Sequence, residues 1–290
     1  MMPAFHAADR LTERVAATSP VCVGLDPDIA KLPDGLPRDI AGVRAFCEGI
    51  IDSVADVASC IKPQLASFER FRADGMQLFW DVCAMAAQRG LIVIADGKRG
   101  DIGPTATAYA EAYLGEGSPI DFLTVTPFCG SDGVQPFIDV CKTTGKGIFV
   151  WVKASNPSSG DLLDLPVGDE VVHEHLAQLT ESWAMHHHAP VSNFSFVGAV
   201  VGATYPEELS YLRTLMPHCP LLLPGYGAQG ATAEDCVRGF LPDGTGAVVA
   251  ATRSIIYADQ GKEWRGAART ATQEMADALR TAVAARNAKA

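Results

Sequence analysis

The sequence predicts an α/β protein folded as a (β/α)8 TIM barrel, and three observations lead to that prediction. Short β-branched apolar runs alternate with longer segments of helical periodicity, which is typical of parallel strands joined by helical crossovers. There are eight such units, and eight units in 290 residues favour a closed barrel over an open sheet. Hydrophobic residues make up 48% of the chain, enough for one large core. We expect residues 1–290 to form a single domain, with an extra segment before the barrel and a long helix after it.

The predicted strands are recognised by their Val, Ile and Leu content. Residues 91–96, LIVIAD, form an unbroken apolar run of the kind that is buried on both faces of a parallel sheet. The eight strands are expected at 21–26, 59–63, 91–96, 121–125, 147–153, 195–202, 220–224 and 246–251. Helices are expected at about 41–58 and 69–89, from Pro104 onward because proline suits a first helical turn, after each later strand, and at about 264–288.

The composition argues against several classes of protein. The net charge is -11 and no cluster of Lys and Arg stands out, so we expect no nucleic-acid partner. No apolar run approaches the ~18 residues of a membrane span, and the N-terminus lacks the layout of a signal peptide. The eight cysteines are scattered without a CxxC pair, which indicates reduced thiols in a cytoplasmic protein. A protein this acidic must gather positive charge locally if it binds an anion.

Charged residues follow two neighbouring strands of the predicted barrel. Asp96 and Lys98 are two residues apart, so an extended backbone points both to the same side. Asp101 follows in a loop loosened by glycines, and Lys62 ends the preceding strand. In such barrels the carboxyl ends of strands carry the active site, and charge near a core is costly unless it is paired. We interpret these four residues as a catalytic charge chain, the alternative being a surface salt-bridge loop.

A second feature indicates phosphate binding. The glycine-rich segment 224–230 follows the seventh strand and contains Tyr226, Gly227 and Gln229, and Arg253 follows the eighth. Loops after strands seven and eight of these barrels often bind phosphate, and arginine supplies a fork of donors for a dianion. A tight connection is the plain alternative for the glycines.

Two other features have a structural interpretation: the three histidines at 186–188, and His173 with His175, which lack metal-ligand spacing. The Ser- and Pro-rich segment 155–161 is typical of a mobile loop or lid.

The motifs resemble one family. The run DGKRGDIGPTA matches the DxKxxDIxxT signature of orotidine 5′-phosphate decarboxylases at Asp96, Lys98, Asp101, Ile102 and Thr105. The resemblance continues in order through the chain to the longer bacterial subfamily, at VGLDP (23–27), IKPQ (61–64), TVTPFCGSDGVQPF (124–137), VKASNPSSGD (152–161), VGAT (201–204), PGYGAQGA (224–231) and TRSIIY (252–257). It implies a homodimer of barrels that removes CO2 from orotidine 5′-monophosphate to give UMP, with no metal and no organic cofactor.

The resemblance also implies roles for the charged residues. Lys98 would stabilise the negative charge that develops at C6 and then protonate that carbon. Asp96 would lie beside the substrate carboxylate, and Lys62 would contact both Asp96 and a ribose hydroxyl. Asp101 would reach the partner subunit's site, together with Ile102 and Thr105. A fixed ammonium in a dry pocket is the preorganised electrostatics that a poorly stabilised carbanion needs.

The remaining implied roles concern substrate binding. Asp26 would hold the ribose, Ser155 would contact the pyrimidine, and Gln229 and Arg253 would hold the phosphate, within the loop that also contains Gly227. Tyr226 lies in that loop but matches no single family position.

Three alternatives remain open at this stage. The metal-dependent sugar-phosphate branch of the same superfamily shares DxKxxD but has an acidic residue where this chain has Lys62, whose charge would repel a cation. A Schiff-base aldolase would use Lys153 at the end of the fifth strand. A non-catalytic barrel that binds nucleotide phosphate would need only the glycine-rich loop and Arg253.

Overall fold

The computed structural model describes residues 6–288 and contains a closed barrel of eight parallel strands. Each strand pairs with its neighbour in the chain, and the eighth pairs with the first, Val249 lying beside Val21. The strands are β1 (Val21–Leu25), β2 (Cys60–Pro63), β3 (Ile92–Arg99), β4 (Phe122–Val125), β5 (Gly147–Lys153), β6 (Val197–Val201), β7 (Leu221–Pro224) and β8 (Ala247–Ala251). The predicted fold class is confirmed, and every predicted strand is present.

Helices surround the barrel. They are α1 (Ala7–Ala17), α2 (Ile40–Val54), α3 (Leu65–Glu69), α4 (Arg72–Gln88), α5 (Gly103–Leu114), α6 (Gly130–Thr144), α7 (Gly160–Leu163), α8 (Val172–Ala184), α9 (Pro206–Leu215), α10 (Ala233–Cys236), α11 (Arg253–Ile256) and α12 (Trp264–Asn287). None of the helices within 6–288 is both long and apolar enough to cross a bilayer.

The barrel interior is filled by side chains from alternating strand positions. Ile92 and Ile94 of β3 pack there against Phe122 and Phe149 of the next two strands. Helix α1 covers the amino end of the barrel and contributes Leu11 to this interior cluster. The polar residues Lys62, Asp96 and Lys98 lie toward the opposite, carboxyl end of their strands.

Two differences from the predicted elements have local causes. The helix expected at 69–89 begins at Arg72, because α3 ends at Glu69 and Arg72 itself has a φ of 57°, outside the helical region. Strand β3 continues three residues beyond its predicted end to Arg99, with an irregularity in its pairing with β4 between Ala95 and Arg99. This extension carries the charged residues beyond the apolar core.

The eight cysteines are free thiols, and seven of them are buried. Burial raises the pKa of the thiols of Cys47, Cys83 and Cys141. Cys129 is exposed, at the start of α6.

Candidate active site

Asp96 is the centre of the charged group at the barrel mouth. Its Oδ2 accepts hydrogen bonds from Lys62 Nζ at 2.7 Å and from Gln64 Nε2 at 3.0 Å. Its Oδ1 accepts from Lys98 Nζ at 2.7 Å and from Thr124 Oγ1 at 3.0 Å. The structure therefore brings together three of the four residues of the predicted charge chain. Gln64 and Thr124 complete the carboxylate's hydrogen bonding, and the sequence had assigned neither of them a role.

The two lysines determine the charge of this carboxylate. Burial by itself would raise the pKa of Asp96, but the ammonium groups of Lys62 and Lys98 outweigh burial and hold that pKa well below its usual range. Burial would likewise lower the pKa of Lys62, but the carboxylates of Asp96 and Asp26 raise it above the ordinary value. Lys62 and Asp96 thus form a buried ion pair, in which the opposite charge of each partner offsets the cost of burying the other.

The backbone at Lys98 is unusual. Its φ of 45° lies in the left-handed region, which residues other than glycine seldom adopt. The backbone N–H of Lys98 donates to Thr124 Oγ1 at 2.9 Å, and its ammonium lies 5.4 Å from the centre of the Trp151 ring. Such a conformation costs on the order of 1–3 kcal/mol and persists only where the surroundings impose it, which is common at active sites. Here the strained backbone lets the ammonium turn back onto Asp96.

Asp26 follows β1 and faces the same group. Its Oδ1 is buried yet accepts no hydrogen bond from any residue in 6–288. Burial raises its pKa, partly opposed by the charge of Lys62. Tyr257 positions the segment, since its hydroxyl donates to the Asp26 carbonyl at 3.1 Å and accepts from the Asp28 N–H at 2.8 Å. An unsatisfied buried carboxylate oxygen is suited to accept a hydrogen bond from a hydroxyl group of a ligand.

Two adjoining cavities open from this group. The smaller, of about 140 Å³, is lined by Asp96, Lys98, Trp151 and Ser155, among others. The larger, of about 370 Å³, has four cationic residues in its wall: Lys31, Lys62, Arg70 and Arg253. Lys62 and Pro224 line both. A ligand with a compact head and an anionic tail would fit the pair, with the head beside Lys98.

The glycine-rich loop and Arg253 form the far wall of the larger cavity, which also includes Tyr226 and Gln229. The N–H of Gly227 donates to the Ala231 carbonyl at 2.9 Å. Gly227 provides the turn, with a φ of 67°. The N–H groups of Ala228 and Gln229 donate to no described acceptor, and Arg253 Nη2 reaches the Ala228 carbonyl at 3.3 Å.

The structure does not bring the rest of the DxKxxDIxxT signature into this site. Asp101 Oδ1 accepts from the Ile102 N–H at 2.8 Å and pairs with no cation in the described chain. Ile102 is 59% exposed, Phe128 after β4 is 60% exposed, and Thr105 is exposed on α5. These residues face outward, and none of them lines either cavity.

Lys153 ends the fifth strand, where the sequence leads one to expect active-site residues, but its side chain is directed away from both cavities. The pairing of β5 with β6 is irregular: Trp151 lies opposite Val200 and Lys153 opposite Val201, so β5 has one extra residue. Such a bulge reverses the alternation of side chains. Lys153 contacts Asp164, His173 and Glu208 outside the barrel, and it lines neither cavity. An amine in this position is not placed to form a Schiff base with a ligand in the mouth.

The remaining histidines do not add to the site. The three at 186–188 follow α8, which ends at Ala184, and His187 stacks on Phe196 with 4.8 Å between the ring centres. His173, Asp164 and Glu208 have side chains of the types that bind metals. The ammonium of Lys153 lies among them, where a cation would have to lie.

A further cavity, of about 540 Å³, lies at the amino end of the barrel, between α1, α12 and the segment 240–248. It shares no residue with the charged group.

Comparison with known proteins agrees with this geometry. The model of the orotidine 5′-phosphate decarboxylase / HUMPS family matches residues 19–269. The orotidine 5′-phosphate decarboxylase of Rhodopirellula baltica is 42% identical, covering 94% of this chain and 98% of the relative. The orotidine 5′-phosphate decarboxylase of Deinococcus radiodurans is also 42% identical, covering 98% of this chain and 99% of the relative. Among solved structures, Leishmania donovani OMP decarboxylase superposes with a TM-score of 0.77 at 30% identity, covering 96% of this chain and 99% of that one.

Proposed function

The chain belongs to the orotidine 5′-phosphate decarboxylase / HUMPS family, and we propose that it is a carboxy-lyase that converts orotidine 5′-monophosphate into UMP and CO2, the last step of de novo pyrimidine nucleotide synthesis. The observation that carries the proposal is Asp96 held between two ammonium groups at 2.7 Å beside a small cavity. The relatives with 42% identity over almost the whole chain bear the decarboxylase name.

The proposed chemistry is a direct replacement of CO2 by a proton. The bond between C6 and the carboxylate carbon breaks, the electron pair remains on C6, and a proton passes from Lys98 Nζ to that carbon. Lys98 then regains a proton from water. An ammonium already fixed in place stabilises the developing charge without reorganisation, which is the largest contribution in many enzymes. Asp96 keeps Lys98 in place and lies beside the departing carboxylate.

The two cavities suggest how the nucleotide lies. The pyrimidine occupies the smaller cavity, with Ser155 at its edge and Lys98 beneath C6. The ribose lies where the cavities join, its hydroxyls bound by Lys62 and by the unsatisfied Oδ1 of Asp26. The phosphate lies in the larger cavity against Gln229, Tyr226 and Arg253, near the free N–H groups of the loop.

Lys62 argues against the metal-dependent branch of the superfamily. Its ammonium occupies one oxygen of Asp96 and that of Lys98 occupies the other, so the carboxylate that a cation would need is already taken. We propose that the reaction requires neither metal nor organic cofactor.

We further propose a homodimer in which Asp101, Ile102 and Thr105 enter the partner's site. The exposure of Ile102 and Phe128 supports this. Their chain neighbours Asp101 and Cys129 both lie against Gly133, and exposed apolar side chains that are clustered mark interaction surfaces. The eight free thiols support a reducing, cytoplasmic location.

The decisive assay follows the ultraviolet absorbance of orotidine 5′-monophosphate when the purified, reduced dimer is added. We expect turnover that EDTA does not reduce and Mg²⁺ does not increase. The absence of turnover would reject the decarboxylase, whereas activity lost in EDTA and restored by Mg²⁺ would assign the chain to the metal-dependent branch.

A further inference from the structure

The buried ammonium of Lys153 lies in a group of charges that the proposed reaction does not use. This Lys153 cluster consists of the buried Lys153 and His173 and the partly exposed Asp164 and Glu208. Lys153 Nζ contacts Asp164 Oδ1, lies 3.0 Å from Glu208 Oε2 and 3.3 Å from His173 Nδ1. The side chain of Lys153 is only 1% exposed, and a buried ammonium is tolerated only when it is paired. Glu208 Oε2 is itself buried and makes no hydrogen bond of good geometry within 6–288, so the ion pair is its compensation.

The cluster joins four parts of the chain. Lys153 ends β5, Asp164 directly follows α7, His173 lies in the first turn of α8 and Glu208 in the first turn of α9. His173 Nδ1 also lies 2.9 Å from the Leu163 carbonyl. The contact between Lys153 and Asp164 therefore closes the ten-residue loop 154–163 at its base, which reduces the number of conformations open to that loop.

Ser155 lies in this closed loop, two residues after Lys153. The Lys153 carbonyl accepts from the Gly202 N–H at 3.0 Å, and the Ser155 carbonyl accepts from Thr204 Oγ1 at 3.3 Å. A Cβ at Gly202 would lie 2.8 Å from Ser155 Cα, so the two backbones are in close contact. The backbone of Ser155 is thus held by the residues that follow β6, and the Lys153 cluster holds together the two ends of its loop. Ser155 itself lines the smaller cavity.

We infer that Lys153 is a positioning residue, whose ion pairs with Asp164 and Glu208 hold the loop that presents Ser155 to the base of the nucleotide. The inference rests on the proposed function, which places the pyrimidine beside Ser155. Lys153 acts from outside the barrel because the extra residue in β5 turns it there. Gln229 and Arg253, on the other side of the mouth, make no contact with the cluster in the described structure. Disturbing the cluster should therefore weaken recognition of the base and leave recognition of the phosphate unchanged.

Two isosteric variants test this, Asp164→Asn and Glu208→Gln. Both side chains are partly exposed, at 45% and 36%, so both variants are expected to fold. Matched controls are Asp161→Asn in the same loop and Glu207→Gln, the neighbour of Glu208, which pairs with Arg238 at the surface. The probes are UMP, which carries the base, and ribose 5-phosphate, which lacks it, with dissociation constants measured by calorimetry.

We expect Asp164→Asn and Glu208→Gln to weaken UMP binding about three- to tenfold, the range of one lost hydrogen bond. Ribose 5-phosphate should bind as it does to the unaltered protein, and both controls should behave as the unaltered protein with both probes. The KM for orotidine 5′-monophosphate should rise by the same factor as the UMP constant.

A second measurement repeats the two changes in a Ser155→Ala background, where they should weaken UMP binding no further, because residues that act through one contact are not additive. The inference would be overturned by equal weakening of both probes, by variants that match their controls, or by full additivity with Ser155→Ala. Failure of the proposed function is distinguishable, since it would appear as no turnover by the unaltered protein.

Discussion

At the scale of single residues, Asp96 organises the mouth of the barrel. It accepts hydrogen bonds from four donors that lie on or directly after β2, β3 and β4, so one carboxylate ties three strands to one geometry. Lys98 adopts a left-handed backbone conformation, and its ammonium contacts Asp96. A site that holds a strained residue between fixed charges is preorganised, and the cost of that arrangement is met during folding and not during turnover.

Replacing Lys98 with alanine should nearly abolish turnover. The variant loses both the charge that stabilises the carbanion and the proton donor, so we expect kcat to fall by at least about 10⁴-fold. UMP should still bind, because the residues that face its ribose and phosphate are unchanged. Steady-state kinetics and calorimetry measure the two effects. Lys142→Ala, at an exposed ion pair on α6, is the control. Retained turnover by Lys98→Ala would exclude this lysine as the donor.

The depressed pKa of Asp96 predicts a dependence of stability on pH. Because its folded pKa lies below the unfolded value of about 3.9, the ionised carboxylate stabilises the protein above that pH. This contribution is lost as the pH falls from about 4 through the folded pKa. Thermal unfolding between pH 6 and 3 should therefore show a steeper acid loss for the unaltered protein than for Asp96→Asn. Parallel curves for the two proteins would contradict the assignment.

At the scale of elements, strand register aims the charged side chains. Asp96 and Lys98 both face the mouth, as the alternation of an extended strand predicts, whereas the extra residue in β5 sends Lys153 outward while Trp151 stays inside. A regular β5 would have followed the alternation that the sequence suggests. The pairing of neighbouring strands, and not the residues of one strand, decides where these side chains point.

Close contact between β1 and the turn after β8 gives a prediction for Gly24. A Cβ at this position would lie 1.9 Å from Thr252 Oγ1, directly before Arg253. We expect Gly24→Ala to displace Thr252, to destabilise the fold by about 1–3 kcal/mol and to raise the KM by moving Arg253. Denaturant unfolding and steady-state kinetics are the measurements. Gly266→Ala, in α12 with open space around it, is the control and should be neutral or stabilising.

The sequence predicted the barrel well because its strands are short, apolar and separated by clear helical patterns. It also predicted that Lys62, Asp96 and Lys98 act together, since charges at the ends of apolar strands require partners. The hydrogen bonds of Gln64 and Tyr257 were missed because a single polar side chain carries no signal of what it contacts. The direction of Lys153 could not be predicted, since a bulge depends on the register of two strands that lie far apart in the chain.

At the scale of the whole molecule, one chain does not bring all the residues of the DxKxxDIxxT signature into a single site. Asp101, Ile102 and Thr105 face outward, and within one chain the charge chain ends at Lys98. The protein has a net charge of -11, yet four cationic residues line the larger cavity. Positive charge is thus concentrated where an anionic ligand would enter.

Mixing two inactive variants tests whether Asp101 serves the partner. Lys98→Ala and Asp101→Ala dimers should each be nearly inactive. After subunit exchange, every mixed dimer carries one site with both residues intact, and about half of all dimers are mixed if equal amounts exchange completely. Activity is measured after exchange has been verified with differently labelled chains. No recovery would assign Asp101 to its own chain's site.

The distribution of the cysteines has a practical consequence. Seven thiols are shielded inside the fold, while Cys129 is exposed at the start of α6, where Gly133 lies against both Cys129 and the Asp101 carbonyl. A maleimide dye added to the native protein should therefore attach at one place per chain without any engineered cysteine. Because that place adjoins the outward-facing part of the signature, the speed of labelling becomes a built-in gauge of whether two chains are joined there.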